Sequence, residues 1–169
     1  TKLSPLAPAD TLSPEPFARA LLEAIDAAGM RSRSAVQSFD WRTLQVVQRL
    51  APGLPTVYLT ARQAWLDNVG SATADSPWVA GFTLREHGSV PRMVKAAGGA
   101  VWSPWLGDLD ATALAEARAL GLKVVAWTAN APEEIERLLA LGVDGIISDR
   151  PDLVRAAMAA HGLPRARDP

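Results

Sequence analysis

Apolar positions along the chain alternate between two periods. RSAVQSF (33–39), PTVYLTA (55–61), GGAVWSPW (98–105), LKVVAWTAN (122–130) and VDGIISD (143–149) are short apolar runs of strand length. Most are followed by a stretch whose apolar positions recur at helical spacing. After the first, Asp40 can cap a helix carrying Leu44, Val47 and Leu50. DATALAEARALG has an aspartate at its start and a glycine at its stop, and APEEIERLLALG opens on Pro132 with Glu133 and Glu134 at its positive end. RPDLVRAAMAAHG follows the last run. LSPEPFARALLEAIDAAGM, with Ser13 at the cap, Pro14 in the first turn and Leu21, Leu22 and Ile25 on one face, is a helix without a strand before it.

Strands that alternate with helices of this length imply βαβ units and a parallel sheet, expected to be buried on both faces. Residues 62–88 keep neither period. So long a loop is expected to be functional or ordered by its own packing, and Trp65, Trp78 and Phe82 suggest a cover over one end of the sheet. There is no internal repeat, low-complexity tract or dividing linker, so residues 1–169 read as a single domain. The closing LPRARDP is expected to fray, and an opening on Thr1 rather than methionine reads as an end made by processing or cutting.

Composition narrows the chemistry. Seventeen basic and eighteen acidic residues leave a net charge of -1 with arginines scattered, which argues against nucleic acid as a partner. The lack of cysteine excludes disulfides, a thiolate nucleophile and a cysteine zinc site. No apolar run reaches the ~18–20 residues of a membrane span.

Active sites of parallel α/β folds lie at the carboxyl ends of the strands. This points to Ser38, Phe39, Asp40, Thr60, Ser103, Pro104, Trp105, Trp127, Thr128, Asn130, Ser148 and Asp149. Aromatic and small polar residues of this kind make a pocket wall and supply few groups for proton transfer. His87 reads as a loop hydrogen-bonding residue and His161 as a helix end, while Asp40, Asp110 and Asp149 read as helix caps. Asp108 and Asp110 resemble a carboxylate pair without further ligands nearby. No dinucleotide, Walker or G-x-S-x-G signature is present.

VQSFDWRTLQVVQRLAPGLPTVYLT, KVVAWTANAPEE and GVDGIISDRPDLV, in this order and spacing, closely resemble the glycerophosphodiester phosphodiesterase family. The resemblance covers nearly the whole chain. It implies a TIM (β/α)8 barrel that hydrolyses glycerophosphodiesters to an alcohol and glycerol 3-phosphate, in phospholipid breakdown, with a divalent metal, calcium or magnesium. In the family, metal and lysine offset phosphate charge while two histidines act as general acid and base. The family's His-Arg-Gly, Glu-x-Asp and His-Asp motifs do not occur here. Thr1-Lys2 looks like the end of its Glu-x-Lys motif.

The resemblance therefore implies the carboxyl-terminal part of a barrel, with most of the Glu-x-Lys strand and three strands before it missing, and with the histidines and metal ligands outside this chain. Lys2 would face the phosphate, and Phe39, Trp127 and Asn130 would bind substrate, Trp127 on the glycerol side. The expected partners are the substrate and the amino-terminal half of the barrel. Trp105 stands where relatives more often carry a polar residue, and Ala129 and Ala131 replace the family's valine and aspartate after Trp127. The loop 62–88 and SVPRMVKAAGGAVWSP look most like exported bacterial relatives, which points to the periplasm, with the cytoplasm as alternative. Two other readings stay open: a non-catalytic α/β binding or scaffold module that keeps the pocket wall, and a half-barrel completed by homodimerisation.

Overall fold

A computed structural model describes residues 1–164; the part of the expected frayed tail from residue 165 onward lies outside the described residues. In chain order the elements are α1 (Pro14–Ala27), β1 (Val36–Ser38), α2 (Trp41–Leu50), β2 (Thr56–Thr60), β3 (Arg62–Gln63), β4 (Leu66–Asp67), α3 (Leu84–His87), α4 (Val90–Ala96), β5 (Val101–Pro104), α5 (Ala111–Ala119), β6 (Lys123–Ala126), α6 (Pro132–Leu141), β7 (Gly145–Ile146) and α7 (Pro151–Ala160). The five strands expected from the apolar runs pair in parallel in the order β1-β2-β5-β6-β7. Apart from the small β3–β4 hairpin, spatial order follows chain order without reversal. Doubly wound sheets reverse partway, whereas a barrel adds each strand beside the last.

One face of the sheet is packed. Val36, Tyr58, Trp102 and Val124 are buried, beneath helices that contribute Leu22, Trp41, Leu44, Met93, Leu114, Ile135 and Leu138 to the same core. Trp41 is fully buried and meets Tyr58 edge-on, ring centroids 4.9 Å apart. The Tyr58 hydroxyl donates to the Ala97 carbonyl (2.8 Å) and accepts from Gln45 and Gln48. Burial pushes its pKa up to about 12, so it stays a neutral donor. Gly99 permits this approach, because a Cβ there would lie 2.6 Å from Val94 and 2.8 Å from the Tyr58 ring.

The other face departs from the expected burial. The strand register puts Gln37, Val57, Val101 and Lys123 in one row, and further along the same face pairs Leu59 with Ser103 and Val125 with Gly145. Gln37 and Lys123 are exposed and Val57, Val101, Val125 and Gly145 half-buried, since no described residue covers this side fully. This face thus exposes more apolar surface than a parallel sheet covered on both sides would.

Helix ends follow the sequence in part. Asp40 accepts from the Arg42 amide and Asp110 from the Ala113 amide, as their cap positions predict. Asp149 is not a cap: Arg150 holds that position, and the Asp149 carboxylate instead accepts from the Asn130 side chain. Ser13 holds its cap position without a side-chain bond, the Phe17 amide reaching its carbonyl. α4 has no counterpart in the expected elements, although Ser89 caps it and Pro91 opens it. His161 ends α7 as expected. His87 makes no hydrogen bond with its buried Nε2; the 3.7 Å to Glu86 is too long.

At α6 the start is held from one side only. Ala131 has no side-chain acceptor, and Glu134 reaches back to accept from the amides of Asn130 (3.0 Å) and Ala131 (3.1 Å). The Ala131 and Asn130 amides hold its carboxyl below the ordinary glutamate value of 4.5. A depressed pKa stabilises above pH 4.5 and loses its effect as pH falls through the lowered value. Glu134→Gln is therefore expected to cost about 0.5 kcal/mol near neutral pH, the low end for a cap because the group is solvent-screened. Urea titrations at neutral pH and well below the carboxylate range check it: the difference from wild type should vanish in acid, and a pH-independent difference refutes the assignment.

Among the described residues no helix is long and apolar enough to cross a membrane.

Candidate functional site

The carboxyl ends of the strands open onto a cavity of about 400 Å³ lined by Thr1, Lys2, Leu3, Ser4, Gln37, Phe39, Leu59, Trp78, Trp127, Thr128 and Ile147. Lys2, Phe39 and Trp127, three residues singled out from separate stretches of sequence, thus share one wall system. Lys2 is brought there by the first residues running beside β1, where Thr1 Oγ1 donates to Ser38 Oγ (2.7 Å) and the Thr1 amine donates to the Gln37 carbonyl.

Phe39 is fixed by its neighbours. Ser38 and Asp40 on either side are buried, and the Asp40 amide donates to Ser38 Oγ. The Asp40 carboxylate is held by both Nε (2.9 Å) and Nη2 (2.6 Å) of Arg42. Asn68 closes the arrangement: its Nδ2 donates to the carbonyls of Phe39 and Leu59 while its Oδ1 accepts from the Ala61 amide. Asn68 is fully buried. Sequence reading missed it, and an asparagine inside an aperiodic loop carries no signal by type or spacing.

Trp127 follows β6, and its Nε1 donates to the Ser103 carbonyl (2.9 Å). Ser103, itself buried, donates to the Val125 carbonyl (2.6 Å), so the indole is anchored to the strand beside its own. The Trp127 ring meets Phe39 edge-on at 5.3 Å and Trp65 edge-on at 6.2 Å, and Trp65 meets Trp105 at 6.0 Å. Trp65 sits between β3 and β4 and is 60% exposed, and Trp78 enters the cavity wall from the same loop. Loop 62–88 holds that hairpin, a 3-10 turn at Pro77–Val79 and α3, and packs Phe82 against Trp41.

Asn130 lies elsewhere. Its Nδ2 donates to Asp149 (2.9 Å), and its Oδ1 accepts from the Asp149 amide (2.8 Å) and Ser148 Oγ (3.2 Å). It joins the ends of β6 and β7 and is not part of the cavity lining. Asp108 and Asp110 are separated by role: Asp108 accepts from the Arg62 amide and Gln63 side chain, and Asp110 caps α5. A second hollow of about 320 Å³, between α4 and α5, takes in both.

Chemically, this wall can place one ammonium group against an anion and aromatic faces against the rest of a ligand. No described residue lining it is a carboxylate or an imidazole, and no group of three described histidines or acids is gathered anywhere. The described residues lining this cavity do not by themselves fit a divalent cation or a proton-transfer pair.

The sequence model of the "Glycerophosphoryl diester phosphodiesterase family" matches residues 7–153. YhdW of Bacillus subtilis, assigned by name to the glycerophosphodiester phosphodiesterases, is 27% identical over 119 residues, covering 70% of this chain and 41% of YhdW. A Silicibacter pomeroyi crystal structure named as one of the same enzymes superposes with a TM-score of 0.78 at 32% identity, over 98% of this chain and 50% of the other. An Oleispira antarctica phosphodiesterase in complex with sn-glycerol-3-phosphate superposes with a TM-score of 0.62 over 86% of this chain and 50% of its own; at 19% identity it shows the fold alone. The chain spans half or less of the length of these proteins.

Proposed function

Because the chain belongs to the glycerophosphoryl diester phosphodiesterase family, we propose that it forms the substrate-lining part of an enzyme that hydrolyses glycerophosphodiesters to an alcohol and glycerol 3-phosphate. One observation carries this reading. Lys2, Phe39 and Trp127 line a single cavity at the strand ends where parallel α/β enzymes place their sites. In this reading Lys2 offsets phosphate charge, and Phe39 and Trp127 receive the carbon face of the glycerol. Asn130 acts through the β6–β7 end it ties together.

The open sheet face is the second element of the proposal. Half-buried Val57, Val101 and Val125 on this face suit the interior of a barrel, where side chains from all strands fill the centre. We assign its cover to the rest of a (β/α)8 barrel. Five strands here leave three of eight for that part, one fewer than the motif count suggests. The acid, base and cation ligands are assigned to it as well.

The test is turnover of glycerophosphocholine, followed as released glycerol 3-phosphate, by the complete protein with calcium or magnesium. Activity that is lost with a chelator and missing from residues 1–169 alone is expected. Turnover by residues 1–169 with nothing added would overturn the assignment of the acid, base and metal. Failure of the complete protein on every glycerophosphodiester would overturn the function.

A further inference from the structure

We infer that the tryptophans beyond Trp127 select the alcohol half of the substrate, and that they favour a quaternary ammonium over an uncharged group of the same shape. The inference rests on the phosphodiesterase reading and deepens it. Phe39, Trp127, Trp65 and Trp105 form a continuous aromatic run, each ring 5.3–6.2 Å from the next. The run starts inside the cavity that holds Lys2 and ends outside its lining. A diester with its phosphate at Lys2 and its glycerol against Phe39 directs its other alcohol along this run.

The far end is held in place. Asp108 ties the hairpin bearing Trp65 to the turn after Trp105, accepting from the Arg62 amide (2.8 Å) and Gln63 Nε2 (2.6 Å). The Trp105 ring rests on Gly107, where a Cβ would lie 1.9 Å from it. Both donors to Asp108 are uncharged, and no described cationic group pairs with it within 4.0 Å. A negative charge without a cationic partner among the described residues is therefore held in the segment that ties together two indoles whose faces also attract cations. A polyol or primary ammonium needs hydrogen-bond partners; the indole Nε1 of Trp127 is already engaged as a donor and each Asp108 oxygen already accepts one bond. A quaternary ammonium needs none, because it donates no hydrogen bond, and aromatic faces alone suffice for it.

Glycerophosphocholine is compared with the 3,3-dimethylbutyl ester of glycerol 3-phosphate, its uncharged isostere, using the complete protein. The kcat/KM ratio is expected to favour choline about 3- to 30-fold, and W65A and W105A should each pull it towards unity, mainly through KM. W65F should retain more of the preference than W65A. Equal handling of the two esters by the wild type, or an unchanged ratio in both alanine variants, overturns the inference while leaving the phosphodiesterase reading standing. Turnover of neither ester overturns both.

Discussion

Lys2→Met, made in the complete protein, is expected to lower kcat about 100- to 1000-fold, the loss found when one preorganised group facing developing charge is removed from a site. Lys2 has the only charged side chain among the described residues lining this cavity. Its ammonium has no carboxylate partner within 4.0 Å among the described residues, so its charge is available to a ligand. Methionine keeps the length of the side chain and deletes only the charge. An interaction that strengthens as the phosphoryl group reorganises shows in kcat more than in KM, so steady-state kinetics separates this role from simple attraction. Lys2→Arg should recover part of the rate. An unchanged kcat in Lys2→Met would remove Lys2 from the chemistry.

Trp41→Ala is expected to destabilise the protein by about 3–5 kcal/mol, the range for truncating a fully buried large aromatic. Trp41 has no exposed surface, packs edge-on against Tyr58 and lies 6.4 Å from Phe82. Its loss leaves a cavity between α2, β2 and the loop that carries Trp78 into the site, so binding should weaken along with stability. Urea unfolding of wild type and variant measures the difference. A cost like that of a surface substitution would mean that this end of the core is not packed as described. Trp41→Phe should recover part of it, because an aromatic ring still fills most of the space.

How legible all this was varied from residue to residue. The five strands and five of the helices follow from periodicity, since burying one side of an element imposes its repeat on the sequence. Asp40 and Asp110 were readable as caps because an aspartate before an apolar-periodic stretch has one local use. Asp149 looked the same and serves Asn130 instead. The competing partner lies 19 residues away, and local pattern cannot register it. α4 escaped because a seven-residue helix completes too few turns to show a period. The catalytic-side assignment of Lys2, Phe39 and Trp127 came from motif resemblance, and the fold then put all three on one cavity.

By itself the sequence determined the alternation of strand and helix, the parallel sheet it implies and the family, because these are written in local spacing and contiguous motifs. Only the tertiary structure decided that the sheet keeps one apolar face open, that buried Asn68 joins the ends of β1 and β2, and that Trp65 from an aperiodic loop extends the aromatic run begun by Phe39 and Trp127. The physical reason is range. Burial periodicity and helix caps act over a few residues, whereas a hydrogen bond across strand ends or an edge-on ring contact depends on where distant segments arrive once the core has packed.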